Sequence, residues 1–133
     1  MAAFDAQALA SLCRGLEHFR ARDYFAAHDD WEEVWRELSG RRRIFWQAMI
    51  HLVVGGYHFT NGNLRGCQGQ WQKALQKCAD LVPRYDAPVP EPITSLHAML
   101  QEGLTMVESG ANPLPPLEAF AASVVSENWF TLV

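Results

Sequence analysis

The sequence predicts an all-α protein, a compact irregular bundle of four to five helices. Apolar residues recur at helical spacing along almost the whole chain, and no stretch keeps a clean period of two. Capping residues and breakers, from Asp23 and Asn63 to Gly40, Gly110 and the prolines, separate the periodic stretches. A length of 133 residues, with 49% hydrophobic and 20% charged, suits one buried core and argues against disorder. The chain therefore reads as a single helical domain over 1–133, without internal repeats or low-complexity tracts.

Helix 1 is predicted from the N-cap Asp5 to Ala21, because Leu9, Leu12, Cys13, Leu16 and Phe19 form one stripe. Helix 2 starts at Asp23, turns Tyr24, Ala27, Trp31, Val34, Trp35 and Leu38 inward, and ends near Ser39-Gly40. Helix 3, from about Arg42 to Thr60, is apolar on nearly every side and should be central. Its mid-helix Gly55 and Gly56 make sense if a neighbouring helix backbone comes close there. Asn61-Gly62-Asn63 is turn chemistry, and Asn63 caps helix 4, which carries Leu64, Cys67, Trp71, Leu75, Cys78 and Val82 on one face until Pro83. A Pro-rich connector fills 83–92, and the C-terminal helix and tail take 93–133. Within them, helix 5 covers Ile93 to Ser109, and the tail from Leu117 is expected to form a helical turn or two. Trp129 and Phe130 in that tail should dock on the bundle or on another subunit.

Charge and cysteines narrow the function classes. A net charge of -4 disfavours non-specific binding to nucleic acid or an anionic membrane. Gln47, His51 and His58 interrupt the most apolar helix, so no membrane span is expected. Cys13, Cys67 and Cys78 are odd in number and lack CxxC spacing, which fits core thiols in a reducing cytoplasm.

One polar cluster stands out. His28 and Glu32 lie one turn apart at the margin of helix 2's apolar face. On helix 3, Gln47, His51 and His58 fall within about 40° of one another as a narrow stripe. A short connection makes the two helices antiparallel neighbours, so the stripe is expected to face His28 and Glu32. The preferred reading is architectural, a satisfied buried network. The competing reading is a metal or acid–base site, with His28, Glu32 and His51 as candidate catalytic residues and metal ligands. A third reading leaves the stripe in solvent with no role. His28 to Glu32 lacks the second histidine of HExxH, and no phosphate loop or GxSxG occurs. Arg41-Arg42-Arg43 reads as a solvated turn; nucleic-acid binding would need Arg14, Arg20 or Arg22 to join it in one patch. His18 and His97 read as ordinary surface or edge residues.

The run Tyr24-Phe25-Ala26-Ala27-His28, then Glu32 and Trp35, the apolar helix Gln47 to His58, and Gly62-Asn63-x-x-Gly66 resembles the small all-α family known as domain of unknown function 309. The resemblance covers roughly Phe19 to Val82 and carries His28, Glu32, Trp35, Gln47, Asn63 and Gly66 at its motif positions. Asp29 stands where the family often has Glu, and Ala48-Met49-Ile50-His51 where it often has Gly-Leu-Ile-Gln. The resemblance implies a compact helical array and no established activity. The expectation is a small cytoplasmic module that binds a partner protein or small ligand, or self-associates. Trp35, Gln47 and His58 are its candidate binding residues, and no cofactor is expected. The alternative is a divalent-metal-dependent or acid–base hydrolase at the His28/Glu32/His51 cluster.

Overall fold

Five of the six helix starts carry a specific local device. Asp5, Asp23 and Asn63 accept from the backbone N–H groups of Ala8, Ala26 and Gly66 and open α1 (Ala6–Arg20), α2 (Tyr24–Trp35) and α4 (Leu64–Leu81). Between the last two lies α3 (Gly40–Thr60), and a 3-10 turn (Val82–Arg84) follows α4. Prolines open the remaining helices, α5 (Glu91–Glu108) and α6 (Leu114–Ser123). The computed structural model describes residues 4–86, 88–124 and 133. Among them six α-helices occur and no strand.

The all-α class holds, with one helix more than expected. The turn or two expected from Leu117 is the ten-residue α6, which already starts at Leu114. Pro115 and Pro116 fall in its first turn, where the missing N–H groups have no intrahelical partner to lose, so this Pro-rich stretch starts a helix. Helix α2 stops at Trp35, well before Gly40, whose φ of 61° lies at the start of α3. Trp129 and Phe130 lie outside the described residues.

One cluster of buried apolar side chains draws on all six helices. Leu12 and Phe19 from α1 meet Trp31 from α2, Trp46 and Met49 from α3, Trp71 from α4, Leu96 and Leu100 from α5, and Leu117 from α6. Helix α3 packs against α2 and α4, and α6 returns to α1. There Arg20 donates to the carbonyls of Ala121 and Val124 at the end of α6. Cys67 and Cys78 are buried, and burial pushes both thiols up to about 12. Among the described residues no helix is long and apolar enough to cross a membrane.

The structure also corrects the expectation of no internal repeat. Hairpins α1–α2 and α3–α4 superpose in sequence at a constant interval of forty residues. Trp31 Nε1 donates to Leu12 O at 3.1 Å, and Trp71 Nε1 donates to Leu52 O at 2.8 Å. Each indole reaches that backbone because a glycine lies beneath it: a Cβ at Gly15 or Gly55 would land within the ring of Trp31 or Trp71. The close neighbour of Gly55 is thus an indole, and that of Gly56 is the side chains of Leu117 and Tyr24, rather than a helix backbone. Both first helices end in the same double bond pattern. Asp23 N and Arg22 N return to His18 O and Phe19 O, as Asn63 N and Gly62 N return to His58 O and Phe59 O. Hairpin α5–α6 repeats the terminator, with Ala111 N to Met106 O and Gly110 N to Val107 O, but has no tryptophan of its own.

Candidate functional site

His28 and Glu32 are placed on one side of α2 by their i, i+4 spacing, and they meet there. His28 Nε2 lies 3.3 Å from Glu32 Oε1, and the second Glu32 oxygen lies 3.6 Å from Arg36. His28 Nδ1 lies 3.3 Å from Asp29 Oδ1 and is shielded from solvent. The imidazole therefore stands between two carboxylates of its own helix.

The rest of the expected network does not converge on this pair. His51 turns toward α4, where its Nδ1 donates to Gln70 Oε1 at 2.7 Å. Burial lowers the His51 pKa, and Lys73 and Lys77 lower it further against the opposing pull of Gln70. His58 reaches the α3–α4 turn, where Asn63 Nδ2 approaches its Nδ1 at 3.4 Å. Gln47 is half-buried on α3, and no hydrogen bond among the described residues joins it to His28, Glu32 or His51. The reason is positional. Helix α3 packs between α2 and α4, so its polar residues pair with whichever helix each one faces. Among the described residues no three His, Cys, Asp or Glu side chains gather as a ligand group, so His28, Glu32 and His51 are not brought together.

Other motif residues have structural work. Trp35 Nε1 donates to Arg43 O at 3.0 Å while the Arg43 guanidinium stacks on the Trp35 ring at 4.2 Å, which ties the end of α2 to the start of α3. Asn63 caps α4, and a Cβ at Gly66 would strike both the Asn63 side chain and the His58 ring. The Gly62-Asn63-x-x-Gly66 run is thus one packed turn: Gly62 supplies a φ of 77°, Asn63 the cap and Gly66 the space.

Two residues that sequence reasoning missed make the site distinctive. Phe25 is 53% exposed, with its ring 5.5 Å from His28 and 5.4 Å from Tyr57. Tyr57 is 39% exposed and lies 5.9 Å from the His58 ring. Helices α2 and α3 so present a continuous surface of rings, His28–Phe25–Tyr57–His58, with Glu32 and Asp29 at one edge. The readable signal was Phe25 itself, a large ring off the apolar face of helix 2. Asp30 was also missed, and with it His18: Asp30 accepts from His18 Nδ1 at 2.7 Å and lies 3.8 Å from Arg14.

The comparisons with known proteins agree with the family resemblance. Residues 12–69 match the profile of a family described as domain of unknown function (DUF309). The chain is similar to an uncharacterized protein, YpuF, of Bacillus subtilis (strain 168), 35% identical over 54 residues. That match covers 40% of this chain and 31% of the relative's length. No solved structure matches the chain. The matched span runs from Leu12, the acceptor of the first tryptophan, through the capped turn at Asn63 and Gly66, and over it the chain is similar to the DUF309 family.

Proposed function

We propose that the chain is a protein-binding module whose contact surface is the Phe25–Tyr57 ring pair, with His28 beneath and Asp29 beside it. Its partner offers an apolar or aromatic side chain next to a basic one. The observation that carries this reading is Phe25, half in water on a helix whose Tyr24 and Trp31 are buried. Exposed ring patches bordered by polar groups are the usual form of a contact site. Ring faces attract cations, and Asp29, 63% exposed, adds a carboxylate for the same basic group. His28 and Glu32 then serve as the rigid floor of the patch, so their role stays chiefly architectural. An acid–base hydrolase at this place would need an imidazole nitrogen open to its substrate, and Glu32 and Asp29 stand against both nitrogens of His28. The buried, high-pKa thiols fit a reducing compartment, in keeping with a cytoplasmic module.

Selection from a random displayed-peptide library tests the proposal. Enriched peptides should pair an aromatic or large aliphatic residue with Lys or Arg. They should bind the exposed-site variant Phe25→Ala at least about tenfold more weakly, a difference of about 1.4 kcal/mol. Enrichment of acidic peptides, or binding that ignores both Phe25→Ala and Tyr57→Ala, would overturn it. Concentration-dependent sedimentation abolished by Phe25→Ala would replace the foreign partner with a second copy of the chain.

A further inference from the structure

Five of the eleven basic side chains, Arg36, Arg41, Arg42, Arg43 and Arg84, gather where α2 ends, α3 begins and the 3-10 turn closes. The run Arg41 to Arg43 is not a solvated turn. Arg41 stacks on Tyr85 at 4.4 Å, Arg42 on Phe4 at 4.2 Å and Arg43 on Trp35 at 4.2 Å, so rings from three other segments hold three consecutive guanidiniums. Arg41 also donates to Arg84 O at 3.4 Å, and Arg43 to Arg36 O and Leu38 O. Among the described residues no carboxylate forms an ion pair with Arg41, Arg43 or Arg84. Gathering like charges at the positive end of a helix costs stability. Stacking offsets part of that cost and fixes the guanidinium planes, while a stacked guanidinium keeps its N–H edge for a ligand.

Arg41, Arg42 and Arg84 line one shallow depression with Ser39 and Gly40, and Glu37 is the carboxylate on its rim. We propose that this depression binds a compact, multiply charged phosphate anion, a free small molecule carrying two linked phosphates, with Arg41 and Arg84 as its main cationic ligands. Arg41 and Arg84 have no carboxylate in ion-pair contact among the described residues and leave about two positive charges to neutralise, which suits a diphosphate better than a single carboxylate. An extended nucleic acid fits poorly, because the whole chain carries -4 and Arg14, Arg20 and Arg22 are engaged elsewhere. Arg14 approaches Asp30 and Glu33, Arg20 the end of α6, and Arg22 lies 2.9 Å from Glu118.

The test is titration of the full chain with pyrophosphate at constant ionic strength, read by calorimetry and by thermal unfolding. A saturable interaction and a rise in Tm are expected, both stronger than with inorganic phosphate. Arg84→Gln should weaken binding at least tenfold, yet melt no lower than the parent without anion, since the exposed Arg84 side chain makes no hydrogen bond or ion pair among the described residues. Arg41→Gln should weaken binding as well. An effect equal to that of sodium sulfate, or unchanged pyrophosphate affinity in Arg84→Gln, would overturn the site. Tighter binding of a single-stranded oligonucleotide with a steep salt dependence would overturn the compact ligand.

Discussion

Hairpins α1–α2 and α3–α4 share the residues that make a hairpin and differ in the residues that face outward. Leu12, Gly15, Phe19 and Trp31 have Leu52, Gly55, Phe59 and Trp71 as counterparts, and Asp23 is matched by the equally capping Asn63. Away from these positions the first hairpin is charged where the second is neutral or basic. His28, Asp29, Asp30, Glu32 and Glu33 stand opposite Gln68, Gly69, Gln70, Gln72 and Lys73. The second hairpin folds without those charges, so the hairpin fold does not require them in the first. A residue kept in both copies is explained by packing alone. One found in a single copy, as His28 and Glu32 are, calls for another reason, and the proposed contact surface beside them would supply one.

The largest expected effect tests whether the two tryptophan locks are equivalent. Gly15→Ala and Gly55→Ala each push a methyl into an indole with no free space around it. The ring must shift, its N–H bond to Leu12 O or Leu52 O is lost, and overpacking adds to the loss. Each variant should cost about 3 kcal/mol, read as a fall in the urea midpoint at unchanged slope. Costs that agree within about 1 kcal/mol sharpen the equivalence. Full tolerance of either alanine breaks it.

Helix positions, caps and most of the buried face were legible because each depends on near neighbours in the chain. Asp5, Asp23 and Asn63 cap as their spacing implies, and Trp31, Trp46 and Trp71 are buried as their faces imply. The forty-residue repeat escaped notice because few identities carry it, while the residues between them differ freely. The His28/Glu32 contact was readable from one helix. The partners of His51 and His58 were not, because these depend on which neighbour each side of α3 meets. The arginine run misled for the same reason: its rings, Phe4, Trp35 and Tyr85, are distributed over three other segments.

A smaller effect separates the two turns. Arg22 holds a φ of 65° where the second hairpin uses Gly62 at 77°. A side chain in that left-handed region costs about 1 kcal/mol. Arg22 recovers part of it through the mostly exposed ion pair with Glu118, worth under about 1 kcal/mol. Exchanging the residues should therefore give opposite signs. Arg22→Gly should be neutral to slightly stabilising, and Gly62→Arg destabilising by about 1 kcal/mol, both read from thermal unfolding. Equal losses in both variants would mean that the turns are not alike and that Glu118 dominates the first.

The smallest effect is a pH dependence carried by the second hairpin, where His51 occupies the position of Ser11. Burial holds the folded-state pKa of His51 below the ordinary imidazole value of 6.5, so the unfolded chain binds the proton more readily. Stability from this group is then complete above about pH 6.5 and declines as the pH falls below it toward the lowered folded value. The Gln70 carboxamide is satisfied by the neutral ring as donor, so protonation gains no carboxylate partner there. His51→Ser gives the second hairpin the residue of the first and should flatten the stability profile between about pH 6.5 and 5 relative to the parent, with the carboxylate contributions common to both. Parallel denaturation midpoints for the two proteins across that range would show that His51 titrates as if in water, and this difference between the hairpins would lose its electrostatic content.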